Sequence, residues 1–173
     1  MKLLLFLVIL WTSFGSLACS CQDPGSVEES LEYSDIVVHG KVISMSDVSY
    51  RSTLSKEHGD SLNDALEDRR REVFNSDMIV KVELEVKQIY KGEVCSDTLV
   101  IYTARSSSAC GFRFKERENY IIYGMSESYQ AGFYHDQSPP KTTNVFWTNH
   151  CTRTAEYTFQ EAKELEALIP NSH

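Results

Sequence analysis

The chain has 173 residues, with 17 Lys and Arg against 25 Asp and Glu, a net charge of -8 and 42% hydrophobic residues. That is the size of one domain able to bury its own core, and with 24% charged and 11% aromatic residues its bulk is neither disordered nor membrane-embedded by composition. The acidic balance, with no basic run longer than Arg69-Arg70-Arg71, lacks the continuous positive footprint that a phosphate backbone demands, so nucleic acid is not an expected partner.

Lys2, the nine-residue apolar run Leu3–Trp11 and the small residues around Ser16-Leu17-Ala18 read as a secretory signal over residues 1–18, the run being too short for the roughly 20 residues that span a bilayer. Cleavage after Ala18 leaves Cys19 at the mature N-terminus of a secreted, extracellular chain. A cut before a cysteine is also how a bacterial lipoprotein is processed. A lipidated Cys19 would place the chain in the periplasm or envelope and give it its hold on a membrane.

Cys19, Cys21, Cys95, Cys110 and Cys151 all follow that cut and enter a compartment where disulfides persist. An odd number gives two bridges and one thiol outside them, with the pairing open. In an extended Cys19-Ser20-Cys21 the two cysteines point to opposite faces, so each more readily meets a distant partner than the other. Bridges closing roughly 90 to 130 residues stabilise by about 4 to 5 kcal/mol each in the chain-entropy account, and they staple the N-terminus down.

Asp23-Pro24-Gly25 signals a turn, and Ser26 with Glu29 three residues on resembles a capping box opening a short helix to about Tyr33. Asp35–Ile43 reads as a strand with Gly40 as a bulge or bend. Residues 44–77 turn polar and charged, which predicts an insertion that is mobile or partly helical near Ser61–Phe74. Met78–Tyr90 alternates with the period of a half-buried strand. Thr98–Thr103 and Asn119–Met125 are further strands, Gly132–His135 and Thr143–Thr148 weaker ones, with Ser138-Pro139-Pro140 as a breaker between them. Phe159, Ala162, Leu165 and Ile169 have helical spacing and predict a C-terminal helix on the sheet.

No nucleophile elbow, His-Glu-x-x-His or phosphate loop occurs, and His39, His58, His135, His150 and His173 are scattered. Cys19-Ser20-Cys21 has no Cys-x-x-Cys or paired-histidine complement to complete a resident metal site. The expectation is a binding protein, not an enzyme, with no cofactor.

Several features then coincide: the Cys-Ser-Cys mature start, the helix leading into Ser34-Asp35-Ile36-Val37-Val38, the strand ending Tyr90-Lys91-Gly92, Ala109-Cys110-Gly111-Phe112 before a strand, and the late Cys151. Together they resemble the netrin-like domain of the tissue inhibitors of metalloproteinases, over roughly Cys19–Glu156. The resemblance implies a mostly β, OB-fold-like closed five-stranded antiparallel barrel with flanking helices, spanning 19–173 with the charged insertion at 44–77. It implies disulfides Cys19–Cys110 and Cys21–Cys151, leaving Cys95 as a buried thiol or an intermolecular bridge in an otherwise monomeric protein. It further implies that the partner is a zinc metalloproteinase, whose catalytic zinc is chelated by the α-amine and carbonyl of Cys19. Ser20, Cys21, Gln22, Ser108, Ala109 and Cys110 would then touch the protease. The alternative from another class is an extracellular or lipid-anchored binding or adhesion module with no zinc chemistry.

Overall fold

The computed structural model describes Cys21, residues 23–134 and residues 145–169. Its frame is a hairpin of two 13-residue strands, β1 (Ile36–Val48) and β2 (Ile79–Lys91). In β2 the alternation does what a pleat requires: Val82 and Leu84 are fully buried, while Lys81 and Glu83 pair at 2.6 Å on the other face. β3 (Thr98–Ala104), β4 (Asn119–Gly124), β5 (Val145–Trp147) and β6 (Ala155–Glu156) complete the sheet. The register of β1 against β2 shifts at His39/Gly40, the bulge expected there, and a Cβ on Gly40 would stand 3.3 Å from Leu84 Cβ.

The architecture differs from the expected barrel. Six strands lie in the order β5-β3-β2-β1-β4-β6, and β5 runs parallel to β3 where every other neighbouring pair is antiparallel. Closure would need a ladder between β5 and β4. Instead the outer edge of β4 is taken by the two-residue β6, and Trp147 makes a single bridge with Met125. The fold is mixed α/β with an open six-stranded sheet and several helices. This overturns the closed five-stranded OB-fold barrel, and with it the netrin-like and tissue-inhibitor labels as a description of this chain's architecture.

Successive residues of β1 and β4 face opposite ways, and each face has its own core. One holds Ile36, Val38, Val42, Val82, Leu84, Leu99, Ile101, Tyr120 and Ile122. On the other, Val37, Ile121 and Tyr123 meet Val27 of α1 (Val27–Tyr33) and Ala162 and Leu165 of α5 (Phe159–Leu168). The Ser26/Glu29 capping box is present in both directions, at 3.2 and 2.8 Å. Phe159, expected on the packed stripe of the C-terminal helix, is 75% exposed; it is the first helical residue, and only Ala162 and Leu165 are buried in that helix.

The insertion is more ordered than its composition suggests. β1 continues into it as far as Val48, followed by a 3-10 turn at Tyr50–Thr53 and by helices α2 (Lys56–Ala65) and α3 (Asp68–Asn75). Ser49 and Ser55 accept from the backbone N–H groups of Ser52 and His58, capping the turn and α2. Tyr50, Leu66 and Phe74 join Ile79, Tyr102, Tyr134 and Trp147 in a third core cluster, with the Tyr50 and Tyr134 rings stacked at 4.3 Å. Gly132–His135, expected as a strand, contributes to the one-turn helix α4 (Ala131–Tyr134), with His135 outside the described residues. The Ser138-Pro139-Pro140 breaker also lies outside them, as does the start of the expected strand Thr143–Thr148, whose core is β5. Among the described residues no helix is long and apolar enough to cross a membrane.

Candidate functional site

Three chain segments meet at one end of the sheet and bring Cys21, Cys151 and the turn of Ser108, Ala109 and Cys110 close together. The first follows β3: a 3-10 turn, Ser107–Ala109, capped by the Ser106 hydroxyl, which accepts from Ser108 N at 3.2 Å. The turn stops at Cys110, which takes a left-handed conformation at φ 60°. Gly111 comes next for a steric reason: a Cβ there would lie 1.8 Å from the Ala104 carbonyl oxygen, closer than any side chain can approach. Phe112 N then donates to the buried Thr103 hydroxyl at 2.8 Å, and the Phe112 and Phe114 rings pack 4.7 Å apart. The Cys110-Gly111-Phe112 sequence is thus a sharp reversal that leaves Ser107, Ser108 and Ala109 exposed.

The second segment follows β5. The Asn149 side-chain oxygen accepts from Cys151 N at 2.7 Å and Thr152 N at 3.1 Å, an Asx turn that fixes the cysteine. The hydroxyls of Thr148 and Thr154, 2.7 Å apart, tie the same loop to the backbone of Tyr123 in β4. His150 N donates to the Cys110 carbonyl oxygen at 2.7 Å, so the two reversals lie side by side.

The third is the N-terminal segment. Cys21 bonds to Cys151 with a Cα–Cα separation of 5.0 Å, within the ordinary range for a disulfide. Cys110 is disulfide-bonded as well; its expected partner Cys19 lies outside the described residues, as do Ser20 and Gln22. Downstream, Arg153 Nη1 donates to the Gly25 carbonyl oxygen at 2.7 Å, a second hold on the chain after Cys21.

Arg153 is held in turn by Glu161 of α5, at 2.6 and 3.0 Å through both carboxylate oxygens, and Tyr123 donates its hydroxyl to the same carboxylate at 2.7 Å. Burial opposes the Glu161 charge, and the guanidinium and the phenol more than offset it, so its pKa lies below the ordinary carboxylate value. Burial, reinforced by the bond to Glu161, pushes the Tyr123 phenol strongly upward. Sequence reasoning missed Arg153, Glu161 and the threonine cluster, because each acquires its partner only when α5 and the loop after β5 pack on β4.

His150 is exposed and contributes its backbone to this end of the molecule. Cys95, between β2 and β3, is an exposed thiol, which corrects the buried placement. Among the described residues no group of three or more His, Cys, Asp or Glu is arranged to hold a metal ion. What the arrangement offers chemically is a rigid, disulfide-anchored edge beside a short exposed turn. In comparison with known proteins, the chain matches no family model and no curated protein sequence.

Proposed function

We propose that the protein, secreted after cleavage at Ala18, inhibits a zinc metalloproteinase by presenting the Cys19 terminus to the catalytic zinc, with Ser108 and Ala109 as the second half of the contact. The observation that carries this reading is the 2.7 Å hydrogen bond from His150 N to Cys110 O, which sets the bridged Cys110 beside the Cys21–Cys151 disulfide. Cys21–Cys151 is one staple on the N-terminal segment, and in this reading the bridge of Cys110 runs to Cys19 as the second, removing before binding the ordering entropy that a loose terminus would lose on contact. A catalytic zinc keeps one position open for water or substrate. An α-amine with a pKa near 7.7 to 8.0 is partly neutral at physiological pH and can take that position.

The test is inhibition of a panel of zinc metalloproteinases by the natural chain and by a version carrying one extra alanine before Cys19, with the N-terminus and bridges of both defined by mass spectrometry without reduction. The natural terminus is expected to inhibit and the extended one to lose at least a hundredfold. Inhibition should also weaken as pH falls below about 7.7, where the amine must shed a proton to bind. An acylated Cys19, or equal behaviour of the two forms, overturns the chelation reading in favour of an extracellular or lipid-anchored binding module.

A further inference from the structure

Beside the Ser107–Ala109 turn lies a cavity of about 320 Å³ lined by Val73, Met78, Ala109, Cys110, Tyr129 and Phe133, with Ser106 and Gln130 as its polar residues. Its walls come from the end of the insertion, the turn and the segment that forms α4. Two large apolar side chains stay in solvent there, Met78 at 42% and Phe133 at 53% exposure. Single exposed apolar residues need no explanation, whereas several gathered around one concavity mark a contact site. The Phe133 ring packs edge-on against Tyr134 at 4.9 Å, and the Arg70 guanidinium stands 5.8 Å from its centroid, a distance at which the cation helps orient the ring. Tyr129 is held too, its hydroxyl accepting from Ala104 N at 2.7 Å.

We propose that this cavity is a second contact site for the same partner and takes one large apolar side chain carried on the rim of the metalloproteinase cleft. The inference rests on the inhibitory reading above. Continuity supports it, because Ala109 and Cys110 form both a wall of the cavity and the proposed contact edge. Area supports it as well: a stable interface covers about 800 Å² per partner, which a terminal tripeptide and a three-residue turn do not reach, and the adjoining surface is this cavity. Its volume sits at the bottom of the roughly 300 to 1,000 Å³ range of small-molecule sites, a fit for one side chain. An apolar anchor seated in a pocket is also the commonest way an interface concentrates its affinity.

The experiment compares four proteins against the same protease panel: the natural chain, the alanine-extended chain, Phe133→Ser and Met78→Glu. Both substituted residues are largely exposed, so the variants are expected to unfold at the natural chain's temperature, which is measured alongside. Phe133→Ser and Met78→Glu should each raise the inhibition constant ten- to a hundredfold, mainly through faster dissociation. If both stay within twofold of the natural chain while the extension abolishes inhibition, the cavity proposal fails and the chelation reading stands. If they weaken inhibition and the extended chain still inhibits, chelation fails and the cavity remains a contact. A natural chain that inhibits no zinc protease overturns both.

Discussion

Arg153 and Gly25, 128 positions apart, are joined by a hydrogen bond from the guanidinium to the carbonyl oxygen. The other edge of the same guanidinium grips Glu161 through two parallel bonds, so one side chain ties the N-terminal segment to the C-terminal helix. Bidentate pairing of this kind uses a planar fork that lysine lacks. Arg153→Met should lower the unfolding free energy by about 2 kcal/mol, the scale of hydrogen bonds to a charged group, and Arg153→Lys should recover less than half of that. Urea unfolding with the disulfides intact measures both. A double-mutant cycle with Glu161→Gln should show a coupling of about 1 kcal/mol or more; strict additivity would mean that the two residues act separately.

Glu161 makes this clamp sensitive to acid. Its folded-state pKa is depressed from the ordinary 4.5, burial working against the charge and Arg153 and Tyr123 for it. On lowering the pH the unfolded chain therefore takes up the proton first. The stabilisation is fully present above the unfolded value and is lost as pH falls through the folded one. Glu161→Gln, which does not titrate, should be less stable than the natural chain at neutral pH and should lose less stability between about pH 5 and pH 3. Parallel curves for the two proteins across that range would remove Glu161 from the account.

The Cys110 reversal depends on the absence of one carbon atom. With the Ala104 carbonyl oxygen 1.8 Å and the Ser106 carbonyl oxygen 2.9 Å from where a Gly111 Cβ would be, the obstacle is backbone and cannot swing aside. Gly111→Ala should destabilise by more than about 4 kcal/mol, in the range reserved for core disruption, and should impair formation of the bridge at Cys110 on refolding. Gly132→Ala is the control: no atom lies within 4 Å of its Cβ position, and in α4 alanine should be neutral or stabilising by up to about 1 kcal/mol. Thermal unfolding and the yield of correctly bridged protein distinguish them.

Local signals in the sequence translate well into local structure. The capping box at Ser26, the bulge at Gly40, the alternation of β2 and the buried pair Ala162 and Leu165 each depend on neighbours close in the chain, and all are found. Closure of the sheet does not depend on such neighbours. It turns on whether β5, parallel to β3 along one edge, extends its other edge into a ladder with β4 beyond the single Trp147–Met125 bridge, and the Val145-Phe146-Trp147 pattern is the same in either case. The Cys21–Cys151 bridge was reached through resemblance, since five cysteines alone leave the pairing open. The cavity beside Ala109 was invisible for a related reason. Val73 belongs to a tract that reads as charged, Met78 opens a strand, Tyr129 lies in no expected element and Phe133 falls in a weak strand, and only the packing of α3 and α4 against the turn brings them together.

The insertion supplies the clearest contrast between composition and packing. Around Tyr50, Leu66 and Phe74 nearly everything is polar, so the tract reads as mobile or partly helical with no marked core residue, yet Phe74 is fully buried and lies 5.4 Å from the Tyr134 ring and 5.9 Å from Tyr50. Phe159 belongs to a regular apolar spacing and is nevertheless three-quarters exposed. Truncating a buried phenylalanine removes its transfer energy and leaves a cavity, so Phe74→Ala should destabilise by about 3 to 5 kcal/mol. Phe159→Ala should stay within about 0.5 kcal/mol of the natural chain, as surface substitutions do. Because the Phe74 cluster includes Tyr102, Tyr134 and Trp147 of the rest of the fold, Phe74→Ala should lower the single unfolding transition of the whole chain. A separate early transition confined to the insertion would instead show residues 44–77 to be an independent appendage, and would remove Val73 from the rigid wall that the cavity requires.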